Sequence, residues 1–296
     1  MSGKLDNIKV NRDKYAFERN KRKGIKIASS VIVNGVLILG AITMLMPFIW
    51  MISTSLKSLH EVFVFPPTFF GETVVWENFA RITERFDFFL FFRNSLQVSL
   101  WIVVFQLFTS AMAGYAFAKL NFPHRDKVFL LYLASMMVPM HVTIIPNFLL
   151  MRMFGLVNTL WSLMIPPMVS AFGTFLLRQF FMTVPKDMID AAKIDGCTPI
   201  GCFIRIALPM ATPTLATLGI FAFMFHWNDY FTPLIYITRE RYYTLPLGLA
   251  SMQGLFSTDW PVLMAATTVS ILPVLVIFLL AQDAFQKGIM LSGMKD

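Results

Sequence analysis

Between Pro185 and Pro199 the chain carries its one sizeable polar island of the second half, Lys186-Asp-Met-Ile-Asp-Ala-Ala-Lys-Ile-Asp-Gly-Cys-Thr198. These residue types suit recognition rather than bond-making. Small alanines at 191 and 192, bracketed by Lys186, Asp190 and Lys193, let another backbone or a bulky side chain approach closely. A docking surface for a separate subunit is one reading and an ordinary surface hairpin of helices is the other. Bond-making chemistry has no constellation to work with. His60, His124, His141 and His226 are scattered without metal-ligand spacing, so no metal site is expected. Cys197 and Cys202 stand five apart and unaccompanied, which argues against a disulfide or a zinc site. No nucleophile has a base and an orienting group beside it, so no catalytic residue is assigned. No Gly-rich loop ends in Lys-Ser or Lys-Thr, so the chain is not expected to hold ATP by that route.

The elements that must position the island are legible locally. Pro185 suits a first helical position, and Met188, Ala191, Ala192 and Asp195 share one face at spacings of three and four. Gly196 stands where a left-handed helix stop is needed, and Thr198-Pro199 reads as the N-cap and first position of a second helix. That helix carries Ile200, Phe203, Ile204, Ala207 and Leu208 on one stripe and ends at Pro209. Neither helix is long enough to cross a bilayer.

The rest of the chain is far more apolar. Of 296 residues 56% are hydrophobic and 14% charged, with mean hydropathy +0.64, which excludes an ordinary soluble domain. Six segments have spanning length: 27–53, 94–117, 128–148, 160–177, 208–226 and 261–282. The fold class is therefore all-α integral membrane, with a basic tail over 1–26, a six-span domain over 27–296, and the 185–209 hairpin between spans four and five. With both termini inside, eighteen of the twenty-five Lys and Arg residues lie on the cytoplasmic side. The hairpin then faces the cytoplasm, where ATP is. No Asp, Glu, Lys or Arg falls inside the six segments, which argues against an ion-coupled carrier. The basic run Arg19-Asn-Lys-Arg-Lys23 directly precedes a span, so membrane lipid headgroups, not nucleic acid, are its expected partner.

Polar residues in and beside the spans have two readings. Asn94, Ser95 and Gln97 open the second span, and Ala111, Ala113, Gly114 and Ala116 close it. Such residues serve interhelical hydrogen bonds and close helix packing, or line a wet pathway. The third span holds Pro139 and Pro146 and is expected to bend; the fourth holds Pro166-Pro167. Trp227-Asn228-Asp229-Tyr230 after the fifth span suits a headgroup belt, or a stacking face and amide for a polyhydroxyl ligand. Asn94, Gln97, Trp227 and Asn228 are the substrate-pathway candidates.

Asp190-Ala191-Ala192, then Gly196, then Ile206 and Leu208-Pro209 resembles the signature loop of the membrane subunits of ABC importers, whose pattern is Glu-Ala-Ala, three residues, Gly, about nine residues, Ile-x-Leu-Pro. Asp190 replaces the usual Glu and Cys197 a small residue such as Ala. Trp76-Glu-Asn-Phe79, Asn94-Ser95, Ala113-Gly-Tyr-Ala-Phe117, Phe122-Pro-His-Arg-Asp-Lys127, Trp227-Asn228 with Pro233, and Thr244-Leu-Pro-Leu-Gly-Leu249 resemble the permeases of carbohydrate importers. So do Gln282, Phe285, Gly288 and Lys295, with Ser292 in place of a Gly.

The resemblance covers nearly the whole chain from about residue 27 and is nearest the shorter six-span partner of the maltose and oligosaccharide type. It implies a prokaryotic inner membrane, a heterodimer with a second permease, two ATPase subunits that use ATP and Mg, an extracytoplasmic solute-binding protein, and a carbohydrate substrate. It implies no cofactor in this chain. Asp190, Ala191, Ala192, Asp195, Gly196, Phe203, Leu208 and Pro209 are then the ATPase-coupling residues. A polyamine, amino acid or phosphate ester importer, and a non-transporting scaffold, are the alternatives.

Overall fold

The computed structural model describes residues 2–254 and 258–293, of which Lys295 of the C-terminal motif is not one. Helices, joined by short turns, make up the architecture, and no strand occurs among the described residues. In chain order they are α1 (Ser2–Ser55), α2 (Leu59–Val62), α3 (Glu77–Arg85), α4 (Phe88–Lys119), α5 (Arg125–Ala134), α6 (Met140–Met153), α7 (Trp161–Met164) and α8 (Ala171–Thr183). They continue with α9 (Lys186–Ile194), α10 (Pro199–Cys202), α11 (Leu208–Met210), α12 (Thr212–Trp227), α13 (Phe231–Tyr236), α14 (Leu245–Ser251) and α15 (Trp260–Gly293). Helix α1 runs without a break from the basic tail into the first apolar segment.

Among the described residues three helices are long and apolar enough to cross a membrane on their own: 29–55 of α1, all of α4, and 260–280 of α15. Two more candidates are bent pairs. The segment 125–153 turns by 97° at Val138-Pro139, where the sequence anticipates a bend, and 199–227 turns by 75° at Ala211. The fourth expected span departs from expectation. Residues 160–177 form no single helix but α7, a 3-10 turn at Pro166–Met168, and then α8, which runs on to Thr183. Two adjacent prolines remove two backbone donors, and Ser170 restarts the helix by accepting a hydrogen bond from the Gly173 N–H at 3.0 Å.

Helix α4 is the spine on which these broken pieces assemble. Its packing against α8 is close because Gly114 and Gly173 lack side chains. A Cβ on Gly114 would sit 2.9 Å from the Arg178 backbone nitrogen, and one on Gly173 would sit 2.4 Å from Ser110 Oγ. The small residues closing the second span therefore serve helix packing. Polar residues of α4 repair the break opposite. The Gln106 amide donates to Pro167 O at 2.7 Å and Thr109 Oγ1 to Met168 O at 2.9 Å, satisfying carbonyls that the break sets free.

At the end of the bundle away from residues 185–209, Asn78 ties the chain together. Its amide donates to Ser55 O at 2.9 Å and Lys57 O at 2.8 Å, and Arg81 pairs with Asp259 at 2.6 Å. Asn158, at φ 62°, accepts from the Thr238 N–H at 2.6 Å and the Arg239 N–H at 3.1 Å, fixing the turn before α7 to the one after α13.

Candidate functional site

The hairpin 185–209 folds as its residue types dictate. Helix α9 begins one residue later than the sequence suggests: Pro185 is the N-cap, with ψ 136°, rather than the first helical position. At the other end Gly196 takes φ 81°, which only glycine adopts without strain. The Gly196 N–H donates to Lys193 O at 3.0 Å and the Cys197 N–H to Ala192 O at 2.9 Å, the paired bonds of a Schellman stop. Thr198 then caps α10 by accepting from the Gly201 N–H at 3.1 Å, with Pro199 in the first position.

The hairpin's inward face differs from the one anticipated. Ile189 is buried and packs with Val184 and Cys202, while Ala192 and Cys197 lean on the same cluster. Met188, Ala191 and Asp195 point away from it and are exposed. The stripe on the second helix also divides. A π turn over Phe203–Ala207 widens the helix, and Phe203 packs on Tyr115 and Phe181 with ring centroids 5.1 and 6.4 Å apart. Ala207 is fully buried and Leu208 partly so in this cluster, whereas Pro209 is exposed. Ile194, Ile200 and Ile204 face outward at 87%, 70% and 54% exposure.

Charges frame this apolar outer surface. Asp190 and Lys193 form an ion pair at 2.9 Å, both exposed. The hydrogen bond from Lys193 holds the Asp190 carboxyl below its ordinary range, and Asp190 raises Lys193 above its own. A depressed carboxyl contributes above its unfolded pKa and fails as pH falls through the folded one; a raised amine contributes below its unfolded pKa and fails as pH rises through the folded one. The pair is thus fully formed through the neutral range. The hairpin's base is held by Lys119, whose Nζ donates to Val184 O at 2.6 Å, and by Arg178, which pairs with Asp126 at 2.8 Å and lies 4.0 Å over the Phe129 ring. The geometry is a stiffly mounted knob with an apolar, charge-rimmed tip, suited to contact and not to bond-making.

The four pathway candidates fall into two pairs. Asn94 is 1% exposed and its amide donates to Arg241 O at 3.0 Å and Tyr243 O at 2.9 Å. Trp227 is 3% exposed, stacks on Phe223 at 5.3 Å and donates from Nε1 to Ser270 O at 3.1 Å. The single donor of Trp227 and both amide hydrogens of Asn94 are thus spent inside the chain. Gln97 and Asn228 are exposed; the Asn228 amide closes α12 by donating to Met224 O at 2.8 Å. Sequence reasoning missed a small cavity of about 190 Å³ lined by α6, the Pro166-Pro167 break and the end of α12. Part of the signal was present in the two Pro-interrupted segments around Pro139 and Pro166-Pro167, both of which border it.

Apolar helices that fold back at prolines, with one polar hairpin projecting from the bundle, define an α-helical membrane protein. Residues 88–291 match the family model described as binding-protein-dependent transport system inner membrane component, and the chain belongs to that family. The arabinooligosaccharides transport system permease protein of Halalkalibacterium halodurans is 35% identical over 82% of this chain and 86% of that protein. The sulfoquinovosyl glycerol transport system permease protein of Agrobacterium fabrum is 33% identical over 90% and 92%. The sn-glycerol-3-phosphate transport system permease protein of Pectobacterium atrosepticum is 32% identical over 90% and 97%. Among solved structures, a bacterial ABC transporter that imports alginate superposes with TM-score 0.76 at 24% identity, over 86% of this chain and 95% of that one. The chain is accordingly an ABC transporter permease, a transport component and not an enzyme.

Proposed function

We propose that the chain forms half of the translocation pathway of an ATP-driven importer for a sugar or oligosaccharide in a prokaryotic inner membrane. It crosses six times with both termini cytoplasmic, the broken 161–183 segment supplying the fourth crossing. The 185–209 hairpin docks on an ATPase subunit and transmits its closure to α8 and α12 as a rigid body. One observation carries the coupling: Ile194, Ile200 and Ile204 are exposed on a hairpin whose backbone is locked by caps at both turns. Apolar side chains held rigidly in the open favour burial against a partner.

ATP and Mg are used on that partner, two copies of which serve a heterodimer of this chain and a second permease. A solute-binding protein delivers the substrate from outside; a solved alginate importer that resembles this chain in fold, with TM-score 0.61, is in complex with a periplasmic protein bound to alginate pentasaccharide. Relatives named for the transport of arabinooligosaccharides and of lactose support a carbohydrate. A phosphate ester is the second reading, favoured by the sn-glycerol-3-phosphate relatives.

The test is to tag the C-terminus, solubilise native membranes gently and identify stoichiometric companions by mass spectrometry. An ATPase and a second permease are expected. Recovery of this chain alone, or only as a homo-oligomer, would contradict the assembly.

A further inference from the structure

We infer that the loop 62–71 is a membrane foot, whose aromatic side chains enter the phospholipid headgroup boundary of the extracytoplasmic leaflet beside α1; the choice of leaflet rests on the topology proposed above. From Val62 to Gly71 the sequence reads Val-Phe-Val-Phe-Pro-Pro-Thr-Phe-Phe-Gly, with no charged side chain. Its rings stand in the open, Phe65 at 91%, Phe70 at 83% and Phe63 at 69% exposure. The loop is nonetheless tightly built. Glu61 closes its neck by accepting the Ser58 N–H at 2.9 Å and the Glu72 N–H at 2.7 Å, the close-ended form of an Ω-loop. Gly71 makes that closure possible, since a Cβ there would sit 2.8 Å from a Glu61 carboxylate oxygen.

The loop folds back along α1 and not away from it. Phe69 meets Trp50 edge-on at 5.2 Å, and Ser53 Oγ donates to Phe69 O. Lys57 lies 4.8 Å over the same Trp50 ring and donates to Thr68 O. Trp50 precedes the end of α1 at Ser55 by five residues, roughly 7–8 Å along the helix axis. The loop is therefore level with the last apolar turns of 29–55, whose most apolar stretch has no burial within the chain. That depth matches the roughly 5–10 Å to which interfacial segments sink. Hydrocarbon depth is excluded, because no residue from 64 to 70 makes a backbone–backbone hydrogen bond and such backbone needs water. Pro66-Pro67 lessen that need by lacking N–H donors. Aromatic area, not charge, makes the attachment: Lys57, the cation beside the loop, is 2% exposed and already engaged. A protein partner would call for a polar rim, and between 62 and 71 Thr68 is the one polar side chain.

Photocrosslinking of the complete transporter in dioleoylphosphatidylcholine nanodiscs tests this. Benzoylphenylalanine would replace Phe65, and separately Phe70, with adducts identified by peptide mass spectrometry. Both rings project from the chain, so neither variant removes core packing. The phospholipid adduct should exceed by at least about fivefold that from the same residue at Glu84, in the charged run Glu84-Arg-Phe-Asp87. Yields in dioleoylphosphatidylglycerol discs should agree within about twofold, because the loop carries no charge. No lipid adduct from either position, or adducts to the second permease or the solute-binding protein in its place, would overturn the foot. A requirement for the anionic lipid would overturn attachment through aromatic area. Nanodiscs expose both faces, so the adduct is independent of topology and of coupling; failure of the importer reading would appear separately, as a chain recovered without an ATPase.

Discussion

Gly196 is the residue on which the hairpin depends most. Its φ of 81° and its N–H to Lys193 O make the turn, while a Cβ built there would meet nothing within 4 Å. Gly196→Ala therefore costs only backbone strain, on the order of 1–2 kcal/mol, and should lower uptake a few-fold. Gly196→Pro fixes φ near −65° and removes the donor, so uptake should vanish while insertion and subunit recovery persist. Gly155, with φ 70° and open space around it, is the matched control: Gly155→Ala carries similar strain far from the hairpin in sequence and should leave coupling intact. Gly196 and Thr198 were legible because caps are local, spanning three to five residues. Asn94 and Trp227 were not, because their partners, Tyr243 and Ser270, lie far along the chain and only tertiary structure brings them together.

Broken helices set the architecture at the next scale. The bend at Pro139 follows from the sequence, since proline removes a donor and clashes with the preceding turn. The break at Pro166-Pro167 goes further than its prolines alone suggest, because Gln106 and Thr109 on α4 supply what the interrupted backbone lacks. Those partners are invisible to a reading of 160–177 by itself. Gln106→Leu should leave Pro167 O without its donor at a cost of about 1–3 kcal/mol. In a thermal shift of the detergent-solubilised complex, a lower Tm than the parent is expected. An unchanged Tm would mean that the break is held by other contacts. The same packing logic explains Gly114 and Gly173, which let α4 and α8 touch and so give the hairpin a stiff base.

For the whole molecule, composition made the membrane class plain, and the hairpin's motif pointed to the family to which the chain belongs. What composition leaves open is which apolar surface meets lipid and which meets protein. Residues 29–55 of α1, long and apolar enough to cross a membrane, have no burial within the chain in their most apolar stretch. The hairpin's tip is different, since its exposed isoleucines stand near the Asp190–Lys193 ion pair on a hairpin capped at its turns. Its engagement of the ATPase is the central claim, and photocrosslinking in native membranes tests it most directly. A benzoylphenylalanine at position 194, and separately at 200, should yield an adduct with the ATPase subunit. The same residue at Leu131, 77% exposed on α5, should not. Absence of an ATPase adduct from both hairpin positions, in membranes that still import sugar, would contradict docking through this loop.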